Sequence, residues 1–208
     1  MTVIFLRHTD DNGSDQSKSH DNKINRKGLF RLRMVINDLI EKYGCPSIIF
    51  TSAFRRTLDT SKEIKKMCDS STEIYIDNNL SRYFCKREKE NPEISNRTEK
   101  YDVPIYEDWN EFEKRINKHI RMLKKKGYIY DKNILVMCVT HSLVYKHVAR
   151  VYGVDIPVVI PFMDKFIINK YSVELPKKIQ ERRRYEDHIR KREYFKSKKN
   201  KKRAKKYM

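Results

Sequence analysis

No apolar run in this sequence approaches the length needed to span a bilayer. The N-terminal apolar stretch, residues 3–6, is far too short for a secretory signal and is ended by Arg7. Neither a membrane protein nor a secreted one is expected. Cysteine is scarce. Cys45, Cys68, Cys85 and Cys138 are the only four, and none forms a CxxC pair or a Cys/His metal spacing. They are expected to be structural thiols in a reducing compartment, which points to the cytoplasm or the nucleus. Cys138 lies inside an apolar run and is expected in the core. No internal repeat is visible. Acidic residues are also short: 28 Asp and Glu against 47 Lys and Arg give a formal net charge of +19.

The excess charge is concentrated at one end. Residues 176–208 hold 16 Lys and Arg against 4 Asp and Glu, whereas the other 175 residues are only mildly basic. Two regions follow: a globular body over 1–175, long enough to bury a sizeable core, and a basic C-terminal helix and tail over 176–208. The mixed charges of Glu181 to Glu186 favour a solvated helix. The run of lysines from Lys198 to Lys206 cannot bury enough apolar area to fold alone. Such a run fits a solubilising tail, a nuclear-import signal, or a patch for polyanions such as RNA.

Within the body, short apolar runs at 2–6, 47–50 and 134–139 read as buried strands, and 73–76 alternates like one. Between them lie helical patterns. Asn25 is a plausible N-cap for a helix carrying Leu29, Leu32, Ile36, Leu39, Ile40 and Tyr43, stopped by Gly44 and Pro46. Residues 56–67 read as a helix with Ile64 and Met67 inward. Asp108 and Glu111 form a capping box before the stripe Phe112, Ile116, Ile120 and Leu123. Ser142 could cap a helix with Leu143, Val144, His147, Val148 and Val151 inward, and a late hairpin is expected at 166–175. The polar stretch 80–107 reads as a functional loop or lid. This alternation predicts an α/β three-layer sandwich, a mainly parallel sheet with helices on both faces.

Three strings stand at the ends of predicted strands. They are Leu6-Arg7-His8-Thr9, Thr51-Ser52-Ala53-Phe54-Arg55-Arg56-Thr57 and Val139-Thr140-His141-Ser142. The C-terminal edge of an open α/β sheet is where ligands bind. Two histidines and two arginines there would make a pocket for a phosphoryl group, because the guanidinium fork suits phosphate oxygens. By the same reading His147, on an apolar helix face, is a satisfied core histidine, and His20, His119 and His188 are surface residues.

The order of these strings resembles the histidine phosphatase superfamily, which includes the cofactor-dependent phosphoglycerate mutases. Arg7-His8-Thr9 stands for that family's Arg-His-Gly; Asp21, Ile24-Asn25 and Gly28 sit at matching spacing. Ser52, Arg56, Thr57 and Thr60 match Ser-x-x-x-Arg-Ala-x-x-Thr, and Thr140-His141-Ser142 stands for Ser/Ala-His-Gly. The resemblance runs from residue 2 to about 175. It implies a phosphoglycerate mutase-like fold, with His8 as nucleophile and Arg7, Arg56 and His141 holding the phosphoryl oxygens, a protonated His141 donating to one of them. It implies no cofactor and no metal.

Two departures bear on chemistry. Thr9 and Ser142 replace glycines, so their side chains narrow the pocket or add hydroxyl donors. Arg82 stands where many members carry a glutamate acid, which leaves Glu88 and Glu90 as candidate proton donors and Arg82 as a phosphate ligand. The expected function is a metal-independent phosphatase acting on a phosphorylated small molecule or phosphoprotein. A mutase is less expected, because residues 76–109 do not match the mutase substrate-binding segments. The alternative is a catalytically weakened relative that binds a phosphorylated protein or nucleic acid through the pocket and the basic tail.

Overall fold

A computed structural model of the chain describes residues 2–9, 23–68, 71–83, 107–129, 134–154, 156, 161–169 and 173–174, all within the unit Met1–Glu174. The basic tail from Pro176, and the boundary expected before it, lie outside the described residues. The strands are β1 (Thr2–Arg7), β2 (Ile48–Thr51), β3 (Glu73–Ile76), β4 (Leu135–Thr140), β5 (Lys165–Asn169) and β6 (Val173–Glu174). The helices are α1 (Arg26–Tyr43), α2 (Arg55–Met67), α3 (Trp109–Lys125) and α4 (Ser142–Val151), with one 3₁₀ turn at Asn78–Leu80. The sheet order is β3-β2-β4-β1-β5-β6. β1, β4, β2 and β3 pair in parallel, and β5 and β6 add an antiparallel edge.

Strand periodicity builds the three layers. Successive side chains of a strand point to opposite faces. On one face Ile4, Leu6, Ile49, Leu135, Met137, Val139 and Ile167 join Leu32, Ile36 and Leu39 of α1 and Ile64 of α2 in one buried cluster. On the other face Phe5 and Phe50 meet the ring of His119 from α3, and Phe166 meets Tyr145 from α4. The expected α/β sandwich is the architecture found. Asn25 caps α1, its Oδ1 accepting from the Gly28 N–H at 2.7 Å, and α3 opens with the Asp108–Glu111 capping box. Gly44 ends α1 at φ +79°, a conformation that glycine adopts without strain. Among the described residues no helix is long and apolar enough to cross a membrane.

Three expectations are corrected. His119 is fully buried rather than at the surface. It lies three residues after Ile116 and four before Leu123, so helical spacing carries it onto the sheet. There its Nδ1 lies 2.6 Å from Asp77 Oδ2 and its Nε2 3.4 Å from Cys138 Sγ, so the burial of a polar ring is compensated. The second correction is the cap of α4, which is His141 and not Ser142. The third is the buried face of that helix. Leu143 and Val151 are exposed, whereas Tyr145 and Ala149 are buried. The buried arc extends around the side of the helix away from Leu143. His147 is buried as expected, with Nε2 donating to Asn117 Oδ1 at 3.2 Å.

Leu32 is completely buried on α1, whereas Phe30 on the same helix is 68% exposed. Leu32→Ala should cost about 2–5 kcal/mol by lost transfer energy and the cavity left behind. Phe30→Ala should stay within about 0.5 kcal/mol of wild type. Urea denaturation of the two variants checks the phase of α1, and equal losses would contradict it.

Candidate active site

Strand pairing brings the three strings together. β1 and β4 are parallel neighbours with Arg7 opposite Thr140, so His8 and His141 leave adjacent strands at the same level. The His8 N–H donates to Thr140 O at 3.0 Å and extends the ladder by one bond. β2 flanks β4 on its other side, with Thr51 opposite Val139, and the Ser52 N–H reaches Val139 O at 3.4 Å. The result is a cluster at the C-terminal edge of three central strands. The rings of His8 and His141 are 5.3 Å apart, both nearly buried.

Hydrogen bonding fixes the tautomer of each ring. The Nδ1 of His8 lies 2.8 Å from Thr9 O. A carbonyl only accepts, so Nδ1 carries the hydrogen and Nε2 keeps a lone pair. For His141 the logic runs through two hydroxyls. Thr57 Oγ1 donates its one hydrogen to backbone carbonyls, Phe54 O at 2.6 Å and Ser52 O at 3.0 Å. It can only accept from Ser52 Oγ, 2.7 Å away. Ser52 thereby spends its hydrogen and accepts from His141 Nε2–H at 2.8 Å. Nδ1 of His141 is left with a lone pair, facing the Arg56 Nη2 donor at 3.5 Å.

Arginines surround the two rings. Arg7 lies over Phe162, its guanidinium carbon 4.0 Å from the ring centroid, and Phe162 also meets His8 at 5.5 Å. Phe162 is held by a turn in which Met163 adopts φ +60° and donates its N–H to Arg7 O. A buried non-glycine residue at that angle is strained, and such strain clusters at functional sites. Phe54 packs edge-on to His141, and the guanidinium carbons of Arg56 and Arg82 each lie 5.7 Å from its ring. Arg55 pairs loosely with Asp59 at 3.8 Å.

This environment holds both histidines neutral. Burial lowers the pKa of His8 well below its usual 6.5, and the charges of Arg56 and Arg7 lower it further, against the opposing bond to Thr9. His141 is lowered by burial, then by Arg56, His8, Arg82 and Arg7. With Nε2 committed to Ser52, Nδ1 is the ring atom left to take up a proton. The reading of Thr9 is corrected. Its hydroxyl is fully buried and donates to Gly28 O of α1 at 2.7 Å, so it ties the end of β1 to α1 and offers no donor to the pocket.

Arg7, His8, Arg56, Arg82 and His141 thus lie at one edge of the sheet. Glu88 and Glu90 fall outside the described residues. Sequence reasoning gave no role to Ser52, Thr57 or Phe162. Ser52 and Thr57 carried a signal in the Ser-x-x-x-Arg-Ala-x-x-Thr match, and Ser52 another in its position directly after a buried strand. Among the described residues no three His, Cys, Asp or Glu side chains gather at metal-binding distances.

No family model matches the sequence, and no curated protein is similar to it in sequence. Solved structures are similar in fold. The ecdysone phosphate phosphatase from Bombix mori, solved with tungstate, aligns at TM-score 0.58 and 13% identity, over 84% of this chain and 92% of that one. A phosphoglycerate mutase from Bacillus anthracis aligns at 0.58 and 14%, over 84% and 91%. A mycobacterial glucosyl-3-phosphoglycerate phosphatase, solved with VO3, aligns at 0.58 and 14%, over 80% and 90%. The chain has the phosphoglycerate mutase-like fold that its motifs imply.

The electrostatics generate a pH expectation. His8 and His141 should titrate well below pH 6.5 in the free protein, and Arg56→Ala should move both upward, since it removes a charge that opposes protonation. Ring-resonance NMR across pH 4–8 (~4 units) measures this, with histidine-to-glutamine variants for assignment. Titration of either ring at or above 6.5 would contradict the burial and the arginine cluster together.

Proposed function

We propose that this protein is a phosphatase that hydrolyses phosphomonoesters through a phosphohistidine on His8, without a metal ion. The observation that carries the reading is the pairing of an unprotonated, buried Nε2 on His8 with guanidinium groups on the same strand edge. The Nε2 lone pair attacks phosphorus as the bond to the leaving oxygen breaks. Water then attacks the phosphohistidine, releasing phosphate and restoring the lone pair. Phosphoryl transfer asks for positioning and charge neutralisation, and Arg7, Arg56 and Arg82 supply fixed positive charge for the equatorial oxygens. His141 adds a donor once the dianion has raised its pKa.

Two of the similar structures are named as phosphatases, and they were solved with tungstate and VO3, oxyanions of the same class as phosphate. That supports a phosphoryl pocket in the shared fold. The leaving oxygen needs a proton, and Glu88 and Glu90 are the proposed donors because Arg82 occupies the position where the family reading places an acid. Among the described residues, the groups acting on His8 and His141 are arginines, histidine and backbone, with no carboxylate among them. Metal independence rests on guanidinium groups doing the neutralising work that a divalent ion does elsewhere.

Three measurements test this. Rapid quench with a labelled phosphomonoester should trap acid-labile, base-stable phosphate on the wild type and none on His8→Ala. Arg56→Ala should lose about 2–4 kcal/mol of transition-state stabilisation, the scale for one preorganised donor, and Arg55→Ala much less. Full activity in His8→Ala, or a reversed ranking of the arginines, would refute the assignment. Chelator should leave turnover unchanged; loss that a divalent ion restores would overturn metal independence.

A further inference from the structure

We infer that Arg115 of α3, outside the site, is a positioning residue that fixes Arg82 in the phosphoryl pocket. The inference rests on the proposed phosphoryl-binding role of Arg82 and concerns what gives that arginine its place. Arg82 follows the 3₁₀ turn at the end of β3, in a segment without a strand or α-helix to hold it. Its backbone is nevertheless tied down. Arg115 Nη1 donates to Asn78 O and Asn79 O, both at 2.9 Å, and to Ser81 O at 3.0 Å. Arg115 Nη2 reaches Arg82 O at 3.3 Å. The remaining carbonyl, Leu80 O, accepts from Thr140 Oγ1 at 2.7 Å. Five consecutive carbonyls are thus occupied, four of them by one guanidinium group.

Arg115 is itself held in place. Glu107 grips it from the other side through a bidentate pair, Nε to Oε2 at 2.9 Å and Nη2 to Oε1 at 2.5 Å. The two side chains are 10% and 3% exposed. One turn along α3, His119 holds Asp77, whose Oδ1 accepts from Asn79 N–H at 2.8 Å. Residues four apart lie on one helix face, so α3 presents both anchors to the same turn. The Leu80 bond comes from Thr140, the residue before His141, so the turn is also tied to the strand that carries the second histidine. A lysine at 115 would keep the charge opposite Glu107. Its single ammonium has no rigid fork to span a carboxylate and four carbonyls.

The test uses tungstate as a probe of the pocket, titrated calorimetrically into the full chain, with thermal melts on every variant. Arg82→Ala should weaken tungstate binding about 10-fold or more, the loss of a charge-assisted hydrogen bond. Arg115→Lys should weaken it comparably, and the double variant Arg82→Ala/Arg115→Lys should bind no worse than Arg82→Ala alone. That non-additivity is the reading a merely structural role would not give. Should Arg115→Lys fail to fold, Arg115→Met with Glu107→Gln removes both charges together, an exchange that folds tolerate better than one unpaired charge. It should show the same loss and the same non-additivity with Arg82→Ala. Wild-type affinity in a folded Arg115 variant would overturn the inference, as would additive losses in the double variant. Unchanged binding in Arg82→Ala would overturn it as well, with the pocket itself intact. A wild type that binds no tungstate would overturn the phosphoryl pocket and this inference with it.

Discussion

The parallel pairing of β1 with β4 is the constraint on which the site depends. Arg7 lies opposite Thr140, and the next residue of each strand is a histidine. A one-residue slip would turn every side chain of β1 to the other face of the sheet. Ile4 and Leu6 would leave the α1 and α2 layer, Phe5 would leave the α3 layer, and the two imidazoles would no longer leave the sheet level with each other. Because β1 is packed on both faces, the core that stabilises the sheet also sets the spacing of the histidines. Chemistry and packing share a single register.

The site built on that register sets arginines beside two buried imidazoles. Guanidinium groups stand around two rings that burial already keeps uncharged. With the Nε2–H of His141 committed to Ser52, and Ser52 committed to Thr57, only Nδ1 can take up a proton. The hydroxyl relay therefore decides which ring nitrogen of His141 stays open to a proton, and burial and the arginines lower its pKa.

Much of this was legible in the sequence because strand ends are. An apolar run followed by Arg-His or by Thr-His places the histidine at a sheet edge whatever the tertiary detail, and helix caps such as Asn25 and Asp108 announce themselves locally. What was not legible depended on partners distant in the chain. His119 looked like a surface residue by type, yet Ile116 and Leu123 bracket it on the buried stripe, and its partners Asp77 and Cys138 come from other elements. Whether Thr9 narrowed the pocket or added a donor stayed open, because its acceptor, Gly28 O, is 19 residues away. The bracing of Arg82 needed a guanidinium 33 residues further on. Propensity and spacing carry the elements; the pairing of buried polar groups is settled only when the layers meet.

The arginine at position 82 also limits where a proton donor can stand. A general acid must hold its proton until the transition state, which requires a pKa raised toward neutrality. A carboxyl group set among Arg7, Arg56 and Arg82 would have its pKa lowered by each of them and would enter the cycle already ionised. A positive field suited to a dianion is hostile to an acid within it. Under the proposed function, a donor for the leaving oxygen would therefore sit on the leaving-group side, shielded from the guanidinium groups by the substrate. That argument, under the proposed function, favours a donor from another segment, as proposed for Glu88 or Glu90, over any carboxylate added beside His8. It also gives a physical reason why an arginine can occupy position 82 only if the acid is supplied from another segment, or if the leaving group departs without one.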